Sequence, residues 1–450
     1  MLGLKSNITE GGKNVNKKRV LILTVVVIVI LVFVLFFRGN NTKQAASDQK
    51  ITIRWTAYAY PEYDKFRTEQ GRTFEKEHKN VTVNYDPIPG SAYTNRLMTQ
   101  IVGGTAPDVF VIPPGNIYDY AKRGALLDLT PYLKKYASEV GDIYPQLMRT
   151  VTFDEKVWGL PSNANTEVLF YNRKIFRDAG IAYPEGQLTW TQIAQLAKKL
   201  TRRDARGRVT QFGVNIPKSG NEAWLIAYAF GAKVWSDDGE KCTLNTPQMI
   251  EAITYIKDQI HVHKVAPSSN DLDTEGAIDR FANNRMAMYP GLRWVTSVLK
   301  NKSASELDWS VAAYPKEKKA VNWILGNIMG ISAKTKKPEM AVAFLLHMIR
   351  PEAINFFIEF GDSIPLRSKG IEQDFFLNEP ERPKGENQAY LDGMKNALID
   401  NDLTHPDVIL DEFNTIVWKE VESFYLGKSS ATEALARAEK KVNELLKTKK

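Results

Sequence analysis

Hydrophobic positions are distributed very unevenly along this chain. Val20 to Phe37 reads VLILTVVVIVILVFVLFF, an uncharged stretch in which Thr24 is the polar exception. At about 1.5 Å per residue, that stretch just spans the hydrocarbon layer of a bilayer as a helix. Lys5, Lys13, Lys17, Lys18 and Arg19 precede it against Glu10, and Arg38 follows it. The basic excess predicts a cytoplasmic tail at 1–19, a transmembrane anchor at 20–37 and the remainder outside the cell. A cleaved signal peptide carries an apolar core of about 7–15 residues, so the length favours an uncleaved anchor. No cysteine follows to take a lipid, and the polar residues 38–50 read as a tether.

From residue 51 the pattern alternates between periods. Ile51, Ile53 and Trp55 recur at period 2, and Tyr63, Phe66 and Phe74 then fall at helical spacing. Val81, Val83 and Tyr85 predict a second strand, Ala92–Val102 a helix stopped at Gly103-Gly104, and Asp108–Ile112 a third strand stopped by proline. A helix from Asn116 to Arg123 follows and ends at Gly124. This βαβαβ order implies a parallel sheet with right-handed crossovers. A second unit begins near Leu160, with a strand at Val168–Tyr171 and a capping box at Thr189 and Gln192. Thr246-Pro247 opens another helix, Trp309–Ala313 is a strand, Pro338 opens a further helix, and Ser430 with Glu433 caps the last one.

Length, at about 150 residues per domain, bounds the chain to roughly three units. With 43% hydrophobic and 25% charged residues it is globular in composition. A net charge of +8, drawn from 60 basic and 52 acidic residues, is modest and gives no argument for nucleic acid. Cys242 is the lone cysteine, so neither an intrachain disulfide nor a cysteine-based metal site is available.

Catalytic signatures are sparse. The chain has no phosphate-binding G-x-x-x-x-G-K-[ST] loop and no G-x-S-x-G elbow, and Gly103-Gly104 precedes a strand where a dinucleotide fingerprint follows one. His261 and His263, two apart on a predicted helix, point to different faces and do not make a zinc site. Asp237-Asp238-Gly239-Glu240 lacks the alternating ligands of a calcium loop and reads as a turn. No cofactor is expected. The positive signal lies beyond the carboxyl ends of the first strands, where open α/β sheets bind ligands. Tyr58, Tyr60 and Asn116 fall there and suit a neutral, hydroxyl-rich ligand. Tyr58 and Tyr60 equally fit a role packing under a loop.

In order and spacing, several segments resemble the extracellular solute-binding proteins of carbohydrate ABC importers, the group that includes maltose-binding protein. They are Gly103–Phe110 (GGTAPDVF), Gly124–Thr130 (GALLDLT), Trp158-Gly159-Leu160-Pro161, Val168–Phe176 (VLFYNRKIF), Leu188–Thr191, Met286–Gly291 (MAMYPG) and Gly361–Pro365 (GDSIP). The resemblance implies a two-lobed α/β fold of the periplasmic-binding-protein type, with discontinuous lobes at 51–160 plus 323–362 and 161–322 plus 363–450. Crossings near Leu160-Pro161, Val321–Ile324 and Ile364-Pro365 would form the hinge. The implied function is capture of a mono- or oligosaccharide between the lobes and delivery to a permease, by a non-enzymatic monomer. Closure would be a population shift, because the sugar touches both lobes only in the closed form.

By the same resemblance, Asn116, Asn163, Asn165, Asn221, Trp224, Trp294, Asn327 and Asp362 are candidate ligand contacts. The family's Gly-Pro-Trp reads Gly291-Leu292-Arg293-Trp294 here, which makes Arg293 a rival contact and keeps an anionic solute open. Trp190 and Trp418 are assigned to core packing. A receptor presenting its ligand to a sensor, and an anchored glycoside-active enzyme, are the alternatives.

Overall fold

Residues 50–113, 115–302, 307–379, 385–399 and 410–449 are described by a computed structural model. The expected tail and anchor, and the tether up to Asp48-Gln49, lie outside the described residues. Strand Ile51–Thr56 pairs in parallel with Val81–Tyr85 on one side and with Val109–Ile112 on the other. Ile328–Ile331 joins Val109–Ile112 antiparallel, and Leu160–Pro161 completes this five-stranded sheet. A strand from late in the chain therefore sits inside a sheet begun by the first hundred residues. Helices Pro61–Glu77 and Pro338–Met348 cover the sheet, with Trp55 stacked on Tyr85 at 4.4 Å and edge-on to Phe344 at 5.7 Å.

The second sheet is built around Asn165–Asn172, all eight of whose residues are buried. Met286–Leu292, Trp309–Ala313 and Asn322–Leu325 pair with it antiparallel, and Val209–Val214 runs parallel to Met286–Leu292. A strand buried on both faces reads as a continuous apolar run, which explains why Val168–Tyr171 was legible and its polar ends were not. Helix Trp190–Leu200 starts on the expected reciprocal cap between Thr189 and Gln192 and buries Trp190, Ile193, Ala197 and Leu200. Thr246 likewise caps Pro247–Lys257, and the run continues into a wider turn, Asp258–Val262, that carries His261. The long helices Leu410–Tyr425 and Ala431–Lys449 pack on one another and on this lobe.

The chain crosses between the sheets at places partly different from those expected. Residues 162–164 separate Leu160–Pro161 from Asn165–Asn172, beside the expected crossing near Leu160-Pro161. The next crossing is Gly326-Asn327 rather than Val321–Ile324, because Ile324 and Leu325 still pair with Thr166 and Asn165 of the second sheet. Ile364 donates its N–H to the Ala164 carbonyl at 2.7 Å, marking a third crossing. After it, Tyr144 N–H donates to the Leu366 carbonyl and helix Ile371–Leu377 packs on Pro351–Phe360. The chain thus stays against first-lobe elements beyond 363 and rejoins the second sheet at helix Gln388–Gly393.

Candidate functional site

Strand directions bring both sheets' carboxyl ends to the crossings. Ile328 pairs with both Ile112 and Pro161, so Tyr58, Asn116, Ser162 and Asn327 leave the first sheet at one edge. In the second sheet Leu292 lies opposite Glu167 and Ala313 opposite Val168, so Arg293-Trp294 and Tyr314 emerge at the edge where Asn165 enters. This is where open α/β sheets bind solutes.

A polar network ties the three crossings together. The Tyr63 hydroxyl donates to Asp362 Oδ2 at 2.5 Å, and Asn163 Nδ2 donates to the same oxygen at 3.2 Å. Asn163 Oδ1 accepts the Asn327 N–H at 2.6 Å. Asn165 Nδ2 donates to the Asp362 carbonyl at 3.1 Å while its Oδ1 accepts the Trp294 N–H at 2.8 Å. Burial pushes the Asp362 carboxyl up to about 6, against the opposing hydrogen bonds from Tyr63 and Asn163. Asn163, Asn165, Asn327 and Asp362 are therefore brought together, and their polar atoms fasten chain to chain. Glycine is required at two points. A Cβ on Gly326 would collide with the Asn163 carbonyl oxygen, and Gly361, at φ 89°, would place one 3.0 Å from the Ser297 nitrogen.

Tyr58 lies half-buried with its ring centroid 4.0 Å from that of Tyr93, and burial pushes its hydroxyl up to about 12. Tyr60 is 41% exposed and packs edge-on to Phe360 at 6.0 Å. Asn116 is half-buried at the start of helix Ile117–Lys122.

A cavity of about 400 Å³ opens at the edge of the second sheet, lined by Glu167, Glu222, Tyr289, Trp294 and Tyr314 among others. Trp294 is 37% exposed, and its backbone is held by Asn165. Glu167 is only 3% exposed. Its N–H donates to Asn322 Oδ1 and its carbonyl accepts from Asn322 Nδ2, which fixes the residue and leaves the carboxylate at the cavity. Desolvation, then the Glu222 charge, pushes that carboxyl well above the usual range. Sequence reasoning missed Glu167, Glu222, Tyr289 and Tyr314. Glu167 sits within the strand directly before its apolar run, and an acidic residue abutting that run is the one local signal it gave.

Two expected contacts are corrected by the packing. Arg293 is fully buried, with Nη2 2.6 Å from Glu379 Oε2 and its guanidinium over the Phe376 and Tyr390 rings at 5.1 and 5.3 Å. Burial works against the Glu379 charge, yet Arg293 and Lys300 hold its carboxyl below the ordinary range. The Arg293 charge is thereby spent inside the protein, because a buried cation needs a buried partner. Trp224 is also fully buried, its ring 4.5 Å from Trp418, with Nε1 donating to Asn414 Oδ1 at 2.7 Å. Asn221 accepts from the other end of that amide at 3.0 Å, so the pair anchors helix Leu410–Tyr425. Trp190 and Trp418 are buried in the same core.

Residues 54–354 match the model of the bacterial extracellular solute-binding protein family, and the chain belongs to that family. The multiple sugar-binding protein of Streptococcus mutans is 24% identical over 76% of this chain and 81% of its own length. A putative ABC transporter periplasmic-binding protein of Escherichia coli is 26% identical over 83% of this chain and 87% of its own. An ABC substrate-binding protein from Listeria monocytogenes, solved in complex with cycloalternan, superposes with a TM-score of 0.76 at 25% identity, covering 89% of this chain and all of that one. The family consists of solute receptors, and these relatives are binding proteins rather than enzymes.

Proposed function

We propose that this chain is an extracytoplasmic receptor that captures a mono- or oligosaccharide between its two lobes and delivers it to the permease of an ABC importer. The observation that carries the reading is the cavity at Trp294. Its carboxylates accept hydrogen bonds and sugar hydroxyls donate them, while an exposed indole offers a face to the C–H side of a pyranose. Lys218, on the same wall, is 3.2 Å from Glu422, and Arg293 is paired with Glu379. A lining of that kind disfavours an anionic solute, since it sets the acidic Glu167 and Glu222 against it while the described basic residues nearby are already paired. The sugar-binding Streptococcus relative and the cycloalternan-bound Listeria structure support the same solute class.

The short crossings at 162–164, Gly326-Asn327 and Asp362–Ile364 act as the hinge, and Tyr58, Tyr60 and Asn116 form the facing wall. Val20–Phe37 tethers this monomeric receptor to the membrane, which keeps it at high effective concentration near its permease. Two measurements test the proposal: thermal shifts with a sugar panel, and small-angle scattering with and without the best binder. A ligand at about a hundred times its Kd stabilises by about 2.7 kcal/mol, and closure should shrink the radius of gyration. Absence of both responses across neutral and amino mono- and oligosaccharides removes the proposal.

A further inference from the structure

The cavity beneath Trp294 is unusual in its charge. Glu167 and Glu222 both reach it, and the described basic residue on its wall, Lys218, lies against Glu422. Glu167 is held on its strand by Asn322, and its carboxylate meets no hydrogen-bond donor among the described residues. The buried hydroxyl of Tyr314, on the same wall, also meets no partner among the described residues. Tyr289 completes the group, its hydroxyl raised by burial and then by the two nearby carboxylates.

Two like charges beside one partly desolvated void repel, and the arrangement is relieved by a proton or by a cation between them. A neutral polyol donates hydrogen bonds to both carboxylates but leaves the excess charge in place. An ammonium group supplies three donors and a full positive charge in the volume of one hydroxyl. A divalent metal is a poorer complement, since no cluster of three or more acidic, histidine or cysteine ligands occurs among the described residues. We propose that Glu167, Glu222 and Tyr314 form a subsite selecting a carbohydrate that carries a protonated amino group over its neutral counterpart. The inference rests on the reading of this cavity as a sugar site and names the chemical class it prefers.

The test is calorimetric titration of the full chain in detergent with matched pairs. These are glucosamine against glucose, galactosamine against galactose, and the β-1,4-linked glucosamine disaccharide against cellobiose. The pH is held at about 6, below the ordinary range of such amines. At least one amino sugar is expected to bind about tenfold or more tighter than its neutral partner, equivalent to one well-placed charge. In Glu222→Gln and in Glu167→Gln the ratio of the two affinities should fall toward one. Both variants should melt cooperatively, which separates a lost preference from a lost fold. Equal or weaker binding of every amino sugar, with neutral sugars still bound, overturns the inference and leaves the sugar receptor standing. A chain that binds no member of any pair and no sugar of the wider panel loses both.

Discussion

The hydroxyl of Tyr63, on the first helix of the first lobe, donates to the Asp362 carboxylate at 2.5 Å, across almost three hundred residues of sequence. Asp362 also receives Asn163, so one carboxylate binds the first helix to two of the crossings. Burial raises it to about 6, which means the neutral acid is favoured by folding. Its contribution to stability is therefore complete below its ordinary value of 3.8 and is lost as pH rises toward 6. Asp362→Asn keeps an acceptor for Tyr63 and removes the titration. Melting temperature followed from pH 4 to 7 should decline relative to the variant between about 4 and 6, and parallel profiles would contradict the assignment.

The Arg293–Glu379 pair is closed off from solvent, so removing Arg293 leaves the buried Glu379 carboxylate with Lys300 as its remaining charged partner among the described residues. Arg293→Met should cost about 3–5 kcal/mol in denaturant unfolding, and adding Glu379→Met should recover a large part of it. Sugar affinity in the double variant, referred to folded protein, should change little. A loss confined to ligand binding, with stability intact, would return Arg293 to the cleft.

Two tryptophans expected at the ligand separate by burial. Trp294→Ala should weaken sugar binding by about 1–3 kcal/mol with a small change in stability, because its ring is partly exposed at the cavity. Trp224→Ala should instead destabilise by about 3–5 kcal/mol, since it leaves a void against Trp418 and Phe413. Calorimetric titration and guanidinium denaturation of both variants would distinguish the roles, and reversed effects would refute them.

Gly326 lets two crossings pass in contact. Gly326→Ala should cost about 1–3 kcal/mol as the backbone shifts away from Asn163. The shift should also change the closed-state radius of gyration by scattering. An alanine variant with unchanged melting and closure would show that the crossings have slack.

The elements were largely legible because each is fixed by local periodicity and capping. Ile51, Ile53 and Trp55 alternate, Thr189 and Gln192 cap reciprocally, and Ser430 hydrogen-bonds Glu433. The crossing at Gly326-Asn327 was less so. Strand Asn322–Leu325 owes its place to pairing with Asn165 and Thr166, a partner more than a hundred and fifty residues away. Asn163 and Asn165 were expected near the ligand and do lie at the crossings, but which of their atoms remain for a solute depends on Asp362, Asn327 and Trp294 arriving beside them.

Hydropathy and spacing alone determined an α/β body behind an apolar N-terminal segment, since strand and helix periods and turn residues act over a few positions. Only the tertiary structure decided which polar groups face the cavity. Arg293 is consumed by Glu379, and Glu167 is left open beside Glu222. A charge is available to a ligand only if no partner from elsewhere in the chain reaches it first, and that competition is settled by packing between distant segments.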